Sequence, residues 1–332
     1  MNKSIQPLFG HAWELTIDTA PDEDGNGESI VVSSSSWDPE SLRITFDVNL
    51  LAYKALWFAK ISIYNMNAPT AQKVLTQGMT VTLKAGYQTS PYGVIFRGQI
   101  YQPMWEREGV IDSKLTLMCY TGLKEAIGNF AAFRGSAFSS QAALVAKMAA
   151  SSYNPIAVGS VDTTTLSKTN LTRARPFFGD PNEFFDRVAA ANNMQSWMGF
   201  DGINIGAMQS STAPLSTITY TPTTGIIGTP QQTEDGVQLD VLLDARLQVQ
   251  VPPMQIKIDN AVIRQLNRYP GTYPGILDKD GLYIVMGLNF RGDSRGNEWL
   301  TRIVACTSVG GKLALLADAG DPSTPLDLRS IR

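Results

Sequence analysis

The chain has 332 residues, enough for two or three domains that each bury a core. Apolar residues make up 43% and charged residues only 17%, with a formal net charge of −3. This balance, with no two lysine or arginine residues adjacent, argues against tight nucleic-acid binding, and no apolar run approaches a membrane-spanning length. The start, Met1 to Pro7, lacks the charged head and continuous apolar stretch of a signal peptide, so the expectation is a protein made and kept soluble in a cytoplasm.

Residues 1–122 read as strands. Ala12 to Ile17 is the first, and Ser29 to Ser33 faces it across an acidic loop, Asp22 to Glu28. Leu42 to Val48 alternates, with Leu42, Ile44, Phe46 and Val48 inward, and Trp57 to Tyr64 follows. Pro69 then stops the chain, and the stretch up to Gln77 and Gly78 reads as a short linker. Met79 to Ala85 alternates cleanly; Val94 to Tyr101 and Ser113 to Tyr120 complete the set. Repeated strands separated by turn residues predict a barrel or a sandwich, and the order of elements at 61–101 suits a small, closed or nearly closed antiparallel barrel.

Between 123 and 215 the period changes. Ser139 and Ser140 precede a helix whose apolar stripe is Leu144, Val145, Met148 and Ala149, ending before Tyr153. A second helix has Asp180 as N-cap, Pro181 in the first turn and Glu183 at the capping-box position, then Phe184, Phe185, Val188 and Ala189. After Asn192 and Asn193, Ser196 to Phe200 and Ile203 to Ile205 flank Asp201-Gly202, a two-residue hairpin signal.

Strands return between 216 and 311. Thr224 to Pro230 is rich in turn residues; Gly236 to Leu243 and Gln255 to Asp259 follow. Tyr283 to Phe290 and Glu298 to Cys306 form a long hairpin around Arg291 to Asn297. From Ala317, with Gly320, Pro322 and Pro325, the tail reads as an extended arm.

Little in the chain points to chemistry. His11 is the only histidine, which excludes a second imidazole in any triad or zinc set. Cys119 and Cys306 lie far apart at strand-like positions; a disulfide is open, and burial habits favour two thiols. Asp22, Asp24 and Asn26 open like a calcium loop, but Ser33 stands where the bidentate Glu belongs, leaving Glu28 as an irregular ligand or the loop as a solvated tip. Gly225 to Pro230 lacks the Gly-Lys-Ser/Thr ending of a phosphate loop, and Arg291-Gly292-Asp293 is sufficiently explained as a hairpin tip. Asp180 and Glu183 are accounted for by capping and Asp186 by a solvated helix face, so no carboxylate pair for sugar hydrolysis is assigned. No catalytic, cofactor-binding or metal residue is expected, and the chain is read as not an enzyme.

Three stretches, in this order, carry a resemblance. They are Ile63-Tyr64-Asn65 leading through the linker to the Val81–Tyr87 strand and Tyr92 to Ile100; the helix and hairpin Phe184 to Ile205; and Gly225 to Pro230 followed by Gly236 to Leu243. Together they resemble baseplate hub proteins of contractile-tailed bacteriophages, with Leu239 in place of a valine as a mild departure. The resemblance implies a mainly β chain: two tail-tube-like barrels at 1–122 and 216–311, an α+β block at 123–215 between them, and an arm at 312–332. It also implies a homotrimeric ring in the virion baseplate, joining the hexameric tail tube to the central spike. Assembly would take place in the host bacterial cytoplasm beside other baseplate subunits. DNA would pass through the lumen without specific binding, and neither stable membrane association nor a cofactor is implied. The family carries over no site residues, because a hub works through surfaces. Other classes remain open: the hub of a bacteriocin or injection apparatus, an accessory subunit, a cell-wall hydrolase, or an adhesin or carbohydrate-binding module of a tail. An adhesin would show clustered exposed aromatics, whereas the six tryptophans are scattered.

Overall fold

The computed structural model describes residues 10–21, 27–35, 41–52, 56–88, 91–168, 170–207, 215–266 and 276–307. Strict alternation builds the first strands. In β1 (His11–Thr19), Trp13, Leu15 and Ile17 are buried on one face; β2 (Ser29–Ser35) pairs antiparallel with it, and β3 (Ile44–Leu51) buries Ile44, Phe46, Val48 and Leu50. β4 (Phe58–Tyr64) leads into a helix, α1 (Ala68–Gln77), where the sequence reads as a linker. The Asn67 side chain caps that helix by accepting from the Thr70 amide at 2.9 Å, Pro69 sits in its first turn, and only Ala71 and Val74 are buried. Then come β5 (Gly78–Tyr87), β6 (Tyr92–Glu108), which runs on past Gly98, and β7 (Asp112–Tyr120).

The middle block holds α2 (Leu123–Ala126), β8 (Ala131–Gly135), α3 (Gln141–Ser151), β9 (Val158–Val161), α4 (Thr163–Leu166), β10 (Arg175–Gly179), α5 (Pro181–Ala191), β11 (Gln195–Gly199) and β12 (Gly202–Gly206). Ser140 and Asp180 cap α3 and α5 as the sequence predicts. Glu183, however, turns to an ion pair with Arg187 one turn on. The hairpin turn is shifted by one: Gly199 pairs Gly202, so Phe200 and Asp201 make the turn. Phe200 is held there by Trp57 and Phe96, at 4.8 and 6.3 Å between ring centroids. Val145, Met148, Phe185, Ala189, Ile203 and Ile205 form this block's own core.

The third block contributes β13 (Thr217–Tyr220), β14 (Ile226–Gln232), β15 (Gly236–Leu242), β16 (Gln255–Ile258), β17 (Gln265–Leu266), β18 (Leu282–Asp293) and β19 (Trp299–Thr307). The turn-rich stretch at 224–230 is therefore largely strand, interrupted between Ile227 and Gln231 by a register irregularity. Arg291-Gly292-Asp293 is strand as well, with the turn beginning at Ser294. The loop residues 22–26 and the arm 312–332 lie outside the described residues.

The chain is mainly β. Strands of the first and third blocks join in one 14-stranded sheet, with the path β17–β14–β15–β19–β18–β3–β4–β7–β6–β5–β1–β2 and β13 and β16 attached through β18. Among the described residues that path is open and closes into no ring. One apolar cluster runs through both blocks, from Trp13 and Leu15 to Ile303 and Cys306.

Candidate interaction surfaces

The two β blocks meet where β18 pairs β3, from Gly287 opposite Leu51 to Asp293 opposite Thr45. Arg43 clamps the end of this seam with two bonds to Asp293, 3.0 and 2.7 Å long, and its guanidinium lies 4.6 Å from the Tyr64 ring centroid. That hydrogen-bonded pairing holds the Asp293 carboxyl below its ordinary range. At the core face the strands approach so closely that a Cβ on Gly292 would stand 2.3 Å from the Phe46 ring.

The opposite face of the sheet is polar, and its residues fall in register across the seam. One row of directly opposed residues runs Asp240, Arg302, Asn289, Asn49, Phe58, Tyr120, Gln99, Thr80, Asp18 and Ser29, from β15 to β2. Only Phe58 in it is apolar. Its charges are paired or bonded: Arg302 Nε donates to Asp240 at 2.8 Å, and Thr80 and Ser29 donate to the Asp18 carboxylate at 2.9 and 2.5 Å. Asn289 is nearly fully buried and donates to Asp47 at 2.5 Å and Asn49 at 2.8 Å, both across the seam. A neighbouring row sets Arg291, Asp47 and Lys60 side by side, with alternating sign. The result is a broad polar wall with its charges largely compensated.

All three blocks border a cleft of about 430 Å³, walled by Trp57, Val94, Phe200, Leu247 and Val249 with Asn204 and Gln250. Among the described residues Asp201 is its only ionisable group, and they supply neither a nucleophile–base pair nor a ligand set there. A buried lock stands nearby in sequence: Asp244 accepts from the Tyr220 hydroxyl at 2.7 Å and from Arg246 at 2.9 and 2.6 Å.

The residues singled out from sequence do not converge. His11 stacks on Trp299 at 4.4 Å, and burial is the main cause that lowers its pKa below 6.5, against a Ser294 backbone bond and the Asp293 charge. Cys119 and Cys306 are buried free thiols; burial pushes Cys119 well above the ordinary range and Cys306 up to about 11. Glu28 pairs with Lys73, and Asp186 accepts from Ser196. Among the described residues no group of His, Cys, Asp or Glu side chains is arranged to hold a metal ion. The polar row was missed because its members come from strands hundreds of residues apart and no local pattern links them.

No protein-family model matches the chain, and no curated protein does. Solved structures do. The tail protein from Neisseria meningitidis MC58 is 11% identical, with 90% of this chain and 97% of that one covered, at a TM-score of 0.54. The 43 kDa tail protein of prophage MuSo2 from Shewanella oneidensis is 8% identical, covering 90% and 99%, at 0.53. An E. coli type VI secretion component, described as similar to the phage T4 tail proteins gp27 and gp5, is 10% identical, covering 84% and 78%, at 0.50. At such identities the shared property is the fold: this chain has the fold of these tail proteins along nine-tenths of its length in the first two comparisons.

Proposed function

We propose that the chain is a structural subunit of a phage-type tail baseplate, and within it the hub that joins the tail tube to the central spike. The observation that carries this reading is the seam between β3 and β18, which makes two β blocks of one chain into a single sheet with a continuous polar face. A hub must present twice as many tube-like units as it has chains in order to match a hexameric ring with three copies. Two β blocks per chain meet that requirement, and subunit contacts that repeat head to tail close into rings.

In the trimer the polar wall faces the lumen. Phosphates bind where uncompensated lysine and arginine release counterions, and a wall whose arginines Arg302 and Arg291 are already matched by Asp240 and Asp47 offers DNA little to hold. The likeness to a type VI secretion component described as similar to gp27 and gp5 supports the spike as a partner. The same fold would serve a bacteriocin or injection apparatus equally well. Sedimentation tests the stoichiometry: the expected species has three times the 36.1 kDa mass of one chain. A closed dimer, or a monomer at all concentrations, contradicts the hub assignment.

A further inference from the structure

Phe130, Tyr153 and Phe178 are exposed to 48, 71 and 80%, yet they stand together. The Phe130 and Tyr153 rings are nearly parallel, 11° apart with centroids 5.6 Å from each other, and Phe178 is 6.3 Å from Phe130. Scattered exposed aromatics need no explanation; a cluster held in register does. The backbone holds this one, because the Tyr153 amide donates to the Phe130 carbonyl at 2.8 Å and Ala131 bridges Ser152. Phe178 lies opposite Ala132 in the small β8–β10 sheet, whose other face packs Phe133 and Phe177 inward against Phe184.

Arg134 lies on the same outer face, two residues from Ala132 and so about 7 Å along the strand. It is exposed and makes no ion pair among the described residues. Asp180, the nearest acid along β10, is occupied as the cap of α5. On this face Arg134 stands opposite Pro176, and Ala132 opposite Phe178, so the arginine and the ring belong to neighbouring pairs of one exposed surface.

We infer that this face of the middle block binds an acidic polysaccharide. The apolar C–H face of a pyranose stacks on the ring of Phe178 or Tyr153, and a sugar carboxylate or phosphate reaches Arg134, whose planar fork suits such groups. Exposed rings held together beside an exposed, unpaired arginine suit a sugar chain that carries anionic groups. This site is independent of the hub assignment and of the polar wall.

The test is calorimetric titration of the whole chain with hexagalacturonate, with purified peptidoglycan sacculi in a pull-down as a second acidic probe. Cellohexaose supplies a neutral sugar, and polyglutamate an anion without sugar rings. The expected result is binding of the acidic sugars that Phe178→Ala weakens at least tenfold. Arg134→Gln should weaken hexagalacturonate severalfold and leave cellohexaose unchanged. Tyr101→Ala removes an exposed ring in the first block and should change nothing. Failure of both acidic probes to bind at millimolar sugar overturns the inference, as does equal binding by Phe178→Ala or by polyglutamate. A change in sedimentation with Phe178→Ala, without sugar binding, overturns it too and marks the face as a protein contact.

Discussion

The indole nitrogen of Trp299, on β19, donates to the carbonyl oxygen of Gly86, on β5, at 3.1 Å, a bond spanning 213 residues of sequence. The reverse tie is present as well, since the Tyr87 hydroxyl donates to the Trp299 carbonyl at 3.4 Å. The Trp299 ring packs edge-on to Phe46 and under His11. One side chain thus connects the last described strand, β19, with three strands of the first block.

Trp299→Ala should therefore cost about 3–5 kcal/mol, the range for emptying a buried aromatic site. Because core and sheet are continuous across the seam, both β blocks should lose structure in one transition. Urea unfolding followed by fluorescence and by far-UV circular dichroism checks this; two separated transitions would show that the blocks are independent.

Asp244 gives a second test. Arg246 is 59% exposed, so the ion pair itself contributes little, but the Tyr220 hydroxyl is buried and depends on Asp244. Burial and the Asp244 charge drive the Tyr220 pKa far above the ordinary range. Asp244→Ala should cost about 2–3 kcal/mol by leaving that hydroxyl unpaired, and Tyr220→Phe about 1 kcal/mol, measured by chemical denaturation. Equal costs for the two variants would contradict this account.

His11 predicts a pH dependence. Burial against Trp299 lowers its folded-state pKa, so the unfolded chain takes the proton more readily. Its contribution is complete above 6.5 and is lost as pH falls from there through the lower folded value. Unfolding midpoints should accordingly decline as pH falls below 6.5, and His11→Gln should flatten that decline. The Asp293 contribution, whose pKa is lowered by Arg43, is complete above the ordinary 3.8 and is lost only as pH falls below it, outside this window. An unchanged slope in His11→Gln would count against the stacked, neutral imidazole.

The thiols should be inert in the folded protein. Cys119 lies fully buried in the core and Cys306 nearly so, each with a raised pKa. A thiol reagent should label neither cysteine natively and both in denaturant, without prior reduction. Labelling that requires a reductant would reveal a disulfide.

Strands with an uninterrupted two-residue period were legible from the sequence: β1, β3, β5 and β7 fall within a few residues of their expected positions, as do the caps at Ser140 and Asp180. The helix at 68–77 was not, because Asn67-Ala68-Pro69 opens a turn and a helix with equal ease, and only Ala71 and Val74 mark its buried side. Phe200 displaced the hairpin turn because tertiary packing on Trp57 outweighed the local Asp-Gly preference. The polar row and the aromatic cluster were invisible for a shared reason. Asn289 meets Asn49, and Phe178 meets Phe130, only through long-range pairing, which no local periodicity encodes.

The central claim is that three copies build a ring beneath a tail tube. Negative-stain imaging of the purified protein, alone and mixed with its tail-tube partner, tests it most directly. Threefold rings with a central opening, capped by tube density in the mixture, are the predicted result. Compact monomers in both samples would contradict the ring and shift the protein to an accessory or adhesive place in the tail.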